Sequence, residues 1–337
     1  MIISKVDQLK QIIQKAKNVA IITHMNPDGD AIGSASALAL LLAAKNIQVN
    51  IITPNKAATY LRSIEGFEYV TDFLEKTADA ISILRGADLI VCMDFSDYLS
   101  RCGEIAPHIT KNITAAKIVI DHHVAPDVSG YTLAFCDEKE SSTAHILLKT
   151  LIAAALDDMI TKQIASSIYV GMMTDTGNFS YGNLTPELYR NISLLITKGA
   201  DPVEINNQIF NVKSENSLRL NGFATSQKMV VDHPSHSAYI ILTNEELSRF
   251  KYESGDTEGL VNIPLSIDGI YNSALFAEAE GFIKVSLRSI KNRGGDVNQF
   301  ARKYYSGGGH INAAGARAYN MSADEAAKIF ITEIDKF

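Results

Sequence analysis

The sequence predicts an α/β fold, in which a doubly wound, mainly parallel sheet is joined by a helical linker to a smaller mixed α+β domain. Three observations support this prediction. Apolar segments typical of buried strands alternate with helical segments up to about residue 173, and this order is typical of a parallel sheet. Residues 184–228 contain no strand-like segment. From about residue 229 short strand-like segments follow one another, and the chain ends in a predicted helix.

The composition is that of a globular protein, with 46% hydrophobic residues over 337 positions. This length exceeds what one hydrophobic core usually serves and favours two domains. No stretch approaches the roughly 20 apolar residues of a membrane span, and the N-terminus lacks the pattern of a secretion signal. Cys92, Cys102 and Cys136 have no metal-ligand spacing and favour a reduced, cytoplasmic protein. The net charge of −7 argues against a surface that binds long nucleic acid.

The individual elements follow from hydrophobic periodicity. Residues 6–17 have apolar side chains at helical spacing and predict an amphipathic helix. Continuous apolar runs predict strands with both faces buried. The predicted strands of the first part span residues 19–22, 47–52, 88–94 and 117–120, and its further helices span residues 35–44, 142–155 and 161–173.

A polar loop, Thr-His-Met-Asn-Pro-Asp-Gly-Asp-Ala-Ile-Gly-Ser, fills residues 23–34 between the first strand and the next helix. One imidazole and two carboxylates, from His24, Asp28 and Asp30, fall within seven residues. Ligands of open α/β sheets bind outside the carboxyl ends of strands, and these donor atoms suit manganese or zinc. A turn whose Asp caps a helix would have the same sequence. This loop alone therefore leaves both interpretations open.

The pattern of an apolar strand followed by Asp or His occurs again downstream. Asp94 ends the strand over residues 88–94, Asp121-His122-His123 follow the strand over residues 117–120, and Asp175 follows a helix. Core packing gives no reason for this repetition. Together with the first loop, the candidate metal ligands are His24, Asp28, Asp30, Asp94, His122 and Asp175. Such a set can hold two divalent cations, which can activate a shared water and neutralise charge on a phosphoryl group.

The second domain has a polar feature of its own, Ser-Gly-Gly-Gly-His over residues 306–310. Glycines let backbone amides approach an anion closely, and we expect a helix to begin near Ile311. A glycine run is more often a flexible turn. Arg288 follows an apolar strand and is suited to phosphate binding, but a surface arginine at a sheet edge is an equally good interpretation.

The ordered motifs resemble those of the DHH phosphoesterases: His24-x-x-Pro27-Asp28-x-Asp30-x-x-Gly33-Ser34, Asp94, Asp121-His122-His123 and Asp175. The glycine run with Ala313-Ala314-Gly315 looks like the signature of the DHH-associated domain. The chain length and the segment Asp-Thr-Gly-Asn-Phe-Ser-Tyr from Asp175 resemble the subgroup of nanoRNases and pAp phosphatases, also described as bifunctional oligoribonucleases.

This resemblance implies a metal-binding catalytic domain over residues 1–184, a helical linker over residues 185–228 and a DHH-associated substrate-binding domain over residues 229–337. It implies two divalent ions, with manganese the first candidate, and Asp94 shared between them. The first ion would be held by His24, Asp28 and Asp94, and the second by Asp30, Asp94, His122 and Asp175. His123 would contact the scissile phosphate, while Asp121 would orient His122. The nucleotide would be bound by Arg288, Gly308, Gly309 and His310.

The expected activity is hydrolysis of RNAs of a few nucleotides and of 3′-phosphoadenosine 5′-phosphate (pAp). The expected partner is a short RNA or a nucleotide. Binding to a long nucleic acid or to a membrane is not expected. The sequence leaves the oligomeric state open between a monomer and a homodimer. Two other functions stay open: a phosphodiesterase specific for linear dinucleotides such as pApA or pGpG, and a nucleotide sensor without catalytic activity.

Overall fold

The computed structural model describes residues 2–124 and 127–337, with side chains from residue 5 onward. The chain divides into two compact units, Met1–Val212 and Lys213–Phe337. The division falls inside the predicted linker, so some linker helices belong to the first unit and the others to the second. The functional labels given to the three segments stay predictions. Within the described part of the chain, none of the helices combines the length and apolar character needed to cross a membrane.

The first unit contains a six-stranded parallel sheet in the order β3-β2-β1-β4-β5-β6. Its strands are β1 (Asn18–Ile22), β2 (Gln48–Thr53), β3 (Val70–Asp72), β4 (Leu89–Met93), β5 (Ala116–Asp121) and β6 (Leu133–Cys136). The strand order reverses between β1 and β4, which is the position where doubly wound sheets bind ligands. This topology confirms the predicted fold class.

Helices cover both faces of this sheet, which is why its strands are apolar on both sides. The helices are α1 (Ile2–Lys15), α2 (Gly29–Ala44), α3 (Thr77–Gly86), α4 (Tyr98–Arg101), α5 (Ala106–Lys111), α6 (Thr143–Ala153), α7 (Lys162–Asp175), α8 (Pro186–Thr197) and α9 (Pro202–Phe210). Alternate residues of β1 enter different cores: Ile21 packs in the core with α2 and α7, and Ile22 packs in the core with α3 and α5. Strands β3 and β6 were not predicted from the sequence, because they have only three and four residues.

The second unit contains a mixed six-stranded sheet in the order β11-β12-β10-β9-β8-β7. Only β8 and β9 pair in parallel. Its strands are β7 (Met229–Asp232), β8 (Ser237–Leu242), β9 (Asn272–Ala279), β10 (Phe282–Ser289), β11 (Ser306–His310) and β12 (Ala313–Ala318). Its helices are α10 (Glu215–Phe223), α11 (Asn244–Arg249), α12 (Val297–Tyr304) and α13 (Ala323–Glu333). Phe276, Phe300 and Phe330 form the centre of the core between the sheet and the last two helices.

The glycine run is a strand, and the helix expected near Ile311 is absent, since residues 306–318 form a β-hairpin. The expectation was wrong because Ala314, Ala316 and Ala318 alternate inward as in a strand. A Cβ atom on Gly307 would clash with the carbonyl oxygen of Gly315, so only glycine permits this close pairing. Any anion binding at this segment would therefore not use a helix N-terminus.

Candidate metal centre

The six candidate ligands come together at the carboxyl edge of the first sheet. His24 follows β1, Asp94 follows β4 and His122 follows β5. Strands β1 and β4 pair in parallel with Ile22 opposite Cys92. His24 and Asp94 each follow two residues later, so they lie next to each other. Asp28 caps helix α2, Asp30 lies in the first turn of α2, and Asp175 is the last residue of α7.

The ligand atoms form two groups. In each group the atoms lie within 4.8 Å of one another: one consists of His24, Asp28 and Asp94, and the other of Asp30, His122 and Asp175. Carboxylate oxygens mixed with imidazole nitrogens are typical ligands of manganese and zinc. Each group could therefore hold one divalent ion.

Asp94 belongs to the first group and also faces His122 of the second group. Its Oδ2 is 3.3 Å from Nε2 of His24, and its Oδ1 is 3.5 Å from Nε2 of His122. The residue has a φ of 68°, a left-handed conformation that is costly for residues other than glycine and less so for Asp. Its backbone N–H donates to the carbonyl of Ile120 on β5, which holds this conformation in place. The geometry therefore suits a carboxylate shared by two cations.

The three histidines of the site each have Nδ1 next to an oxygen. Nδ1 of His24 is 2.9 Å from the carbonyl of Met25, and Nδ1 of His122 is 3.4 Å from the carbonyl of Glu140. Nδ1 of His123 is 2.7 Å from Oδ1 of Asp121. A proton on Nδ1 satisfies each acceptor. In neutral His24 and His122 it leaves the lone pair on Nε2, which is the arrangement usual for metal-binding histidines.

The charges of the site favour a bound cation. Burial and the neighbouring Asp94 and Asp28 carboxylates raise the pKa of Asp30 well above its ordinary value. Burial and the charge of Asp28 do the same to the pKa of Asp94. Burial lowers the pKa of His24 and so favours the neutral imidazole that binds metals. Two divalent ions would supply the positive charge that these crowded carboxylates lack, so the donor set fits them.

His123 differs from His122 in its exposure and its partner. Its side chain is 23% exposed, compared with 3% for His122. Burial disfavours its charged form, but the hydrogen bond to Asp121 and the charge of Asp94 outweigh burial, and the pKa of His123 is raised. The Asp121 side chain is thus hydrogen-bonded to His123, whereas the family resemblance implied that Asp121 orients His122. Asp121 also forms a group of potential ligand atoms with Asp94 and His123.

The substrate residues predicted for the second unit lie on β10 and β11, which are separated by β12. Arg288 pairs with Ala313 on β12, and Ala313 pairs with His310 on β11, so these three residues share one face of the sheet. Arg288 lies inside β10 rather than after it. Gly309 donates its N–H to Oδ1 of Asn298 on α12, and Gly308 pairs with Gly315. The proposed roles of Arg288, Gly308, Gly309 and His310 stay predictions.

Comparison with known proteins agrees with this geometry. Residues 18–172 match the DHH family, N-terminal domain, and residues 238–337 match the DHHA1 domain. A bifunctional oligoribonuclease and PAP phosphatase from Thermus thermophilus is 30% identical over 310 residues, which cover 91% of this chain and 86% of that protein. The chain belongs to the DHH family. The predicted family is thereby confirmed, and as a DHH phosphoesterase the protein is a hydrolase.

Other relatives of this DHH protein match along most of their length. A bifunctional oligoribonuclease and PAP phosphatase of Bacillus subtilis is 28% identical over 327 residues, covering 96% of this chain and 95% of that protein. The crystal structure of an exopolyphosphatase-related protein from Bacteroides fragilis superposes with a TM-score of 0.91 at 35% identity, covering 99% and 96% of the two chains. RecJ of Thermus thermophilus in complex with Mn²⁺ has a TM-score of 0.56 at 15% identity, covering 100% of this chain and 55% of RecJ, and shares the fold.

Residues 140–144 of this DHH protein support the ligands, and the sequence did not predict this role. Besides the Glu140 carbonyl next to His122, the backbone N–H groups of Thr143 and Ala144 donate to Asp30 at 2.6 and 2.9 Å. The Thr143 hydroxyl donates to Oδ1 of Asp94 at 2.9 Å. The only sequence signal was the Ser-Ser-Thr run that begins a predicted helix. Most of these contacts use backbone atoms, which no residue pattern reveals.

Glycines on α2 and α7 have packing roles in this DHH site that the sequence did not reveal, although Gly33 belongs to the first motif. A Cβ atom on Gly171 would lie 2.6 Å from Cβ of Ala144 and 2.7 Å from Oδ1 of Asp30. A Cβ atom on Gly33 would lie 2.6 Å from the Ser167 carbonyl oxygen. Both glycines therefore allow α2 and α7 to pack closely, which brings Asp30 and Asp175 together.

Proposed function

We propose that this protein hydrolyses short oligoribonucleotides and pAp with the help of two divalent metal ions, most simply Mn²⁺. The observation that carries this proposal is the position of Asp94, whose two oxygens face two separate ligand groups. A shared carboxylate between two such groups is typical of sites that hydrolyse phosphate esters. The names of the two relatives that match along most of their length support the same substrates.

The ligand groups define the proposed metal positions. One ion would be held by His24, Asp28 and Asp94, and the other by Asp30, Asp94, His122 and Asp175. When bound, two divalent ions lower the pKa of a shared water and neutralise negative charge on the phosphoryl oxygens.

His123 would contact the scissile phosphate. Asp121 fixes its ring through Nδ1, and the Asp121 carboxylate stabilises a positive charge on that ring. The Nε2–H group of an imidazolium can donate to a phosphate oxygen and stabilise the charge that develops there. The partial exposure of His123 leaves it accessible to a substrate, whereas His122 is enclosed by the ligand groups.

The second unit would bind a nucleotide of the substrate. Arg288 and His310 lie two strands apart on one face of the sheet, at a spacing of about 10 Å that suits contacts to one nucleotide. The guanidinium of Arg288 can bind a phosphate in a bidentate manner. We expect a short RNA or a nucleotide as the partner, since a net charge of −7 does not favour binding of a long nucleic acid. We place the reaction in the cytoplasm.

A rate assay with Mn²⁺ on pAp, pApA, pGpG, a five-nucleotide RNA and a long RNA tests this proposal. We expect turnover of pAp and of the short RNAs, and little turnover of the long RNA. The same assay after chelation of the metal is the control and should show no turnover. Efficient degradation of the long RNA would contradict the short substrate, and turnover of a single dinucleotide would indicate a dedicated phosphodiesterase. Tight nucleotide binding without any turnover would indicate a sensor.

A further inference from the structure

Thr143, the first residue of α6, is fully buried at the edge of the metal centre. Its hydroxyl donates to Oδ1 of Asp94 at 2.9 Å, across 49 residues of sequence. Its N–H donates to Oδ2 of Asp30 at 2.6 Å, and the N–H of Ala144 donates to Oδ1 of the same carboxylate at 2.9 Å. The first two residues of α6 thus contact two candidate ligands, Asp30 on α2 and Asp94 after β4.

The helix itself does not require the Thr143 hydroxyl. Ser142 is the capping residue, and its Oγ accepts from the N–H of His145 at 3.1 Å. Capping by a serine one position earlier satisfies an N–H group that would otherwise lack a partner. The hydroxyl of Thr143 is therefore available for a purpose other than helix formation, and it is directed at Asp94.

Asp94 is the residue whose orientation matters most to the centre. Its Oδ2 faces His24 and its Oδ1 faces His122, so rotation of the carboxylate would move both oxygens away from these neighbouring ligands. A hydroxyl donor at Oδ1 defines the plane of the carboxylate and stabilises its ionised form. Partners of this kind commonly alter metal affinity when they are removed.

We propose that Thr143 is a positioning residue of the metal centre, whose hydroxyl holds the Asp94 carboxylate in the orientation that binds both ions. The inference rests on the proposed function, because it assumes that Asp94 is a metal ligand. Thr143 is not one of the proposed ligands and would act through the Asp94 carboxylate. Its effect is expected in metal affinity before it is expected in fold stability.

The test measures Mn²⁺ binding by titration calorimetry with the full-length protein. Thr143→Val removes the hydroxyl and keeps the branched shape, and we expect its Kd for Mn²⁺ to rise about 10-fold or more. Thr143→Ser restores a hydroxyl and should return the Kd to within about threefold of the wild-type value. Thr150→Val is the matched control, because Thr150 is a buried residue of the same helix whose hydroxyl donates to the Ile146 carbonyl at 2.8 Å. This control should keep the wild-type Kd.

The outcomes separate the inference from the proposed function. A wild-type Kd in Thr143→Val would overturn the inference, provided that the wild-type protein binds Mn²⁺. Absence of Mn²⁺ binding in the wild-type protein would instead contradict the proposed function. If Thr143→Val does not fold, Thr143→Ala removes the same hydroxyl without adding an atom and is judged by the same Kd criterion. A Kd that rises equally in Thr150→Val would also overturn the inference, because the effect would then be one of general helix stability.

Discussion

Substitution of Asp94 by asparagine is expected to abolish both activity and the binding of at least one Mn²⁺. Asparagine keeps the shape of the side chain but lacks the charge that two cations would share. Loss of an outer partner of a metal ligand typically costs 10–100-fold in affinity or activity, and loss of a bridging ligand should cost more than the upper value. Activity on pAp and metal content after gel filtration measure the two effects.

The same substitution should stabilise the metal-free protein at neutral pH. Burial and the nearby Asp28 raise the pKa of Asp94 in the folded state. Between the unfolded pKa of about 4 and the raised folded value, the folded protein binds more protons, so its stability falls as pH rises. Asparagine removes this penalty. We expect a higher thermal midpoint of the metal-free variant at pH 7 and little further increase when Mn²⁺ is added.

Asp201→Asn is a suitable control for Asp94→Asn. Asp201 caps α9 in the same unit through bonds to the N–H groups of Val203 and Glu204, and asparagine caps helices equally well. This control changes the net charge by the same amount and should leave activity and metal content unchanged. Full activity in Asp94→Asn, with two Mn²⁺ still bound, would refute the shared-ligand role.

Substitution of His123 by glutamine is expected to separate catalysis from metal binding. If His123 stabilises charge on the phosphate, kcat should fall by about 100- to 1,000-fold, as on removal of a hydrogen-bond donor to a transition-state oxygen. Mn²⁺ content and the thermal midpoint with Mn²⁺ should stay close to the wild-type values. Steady-state kinetics on pAp together with metal analysis of the same sample measure the separation.

His108→Gln is the matched control for His123→Gln. His108 belongs to α5, and its ring packs against Phe73 rather than against a candidate ligand. We expect unchanged kcat and metal content in this control. Loss of bound Mn²⁺ in His123→Gln would instead make His123 a metal ligand, as the group with Asp94 and Asp121 would allow.

The sequence predicted the first unit well because its signals are strong and local. Apolar runs ended by Asp or His identify β1, β4 and β5, and the loop before α2 contains a capping Asp that the structure confirms. The sequence could say only that these side chains meet at one edge of the sheet. The strand order and the pairing of Ile22 with Cys92 decide that His24 and Asp94 are neighbours.

The errors concern features whose physical basis is not visible in residue patterns. Glycines carry no side chain, so the run over residues 306–310 shows no alternation, although it forms the edge strand β11. The contacts of Thr143 and Ala144 with Asp30 use backbone amides and join positions more than 100 residues apart. Asp121 was assigned to His122 rather than to His123 because residue spacing does not define ring orientation.

Anomalous diffraction from crystals soaked with Mn²⁺ is the most direct test of the central claim that Asp94 joins two metal sites. We predict two anomalous peaks in the first unit. One peak would lie next to His24 and Asp28, and the other next to Asp30, His122 and Asp175, and Asp94 would contact both ions. A single peak without contact to Asp94, or peaks only at other side chains, would contradict the account.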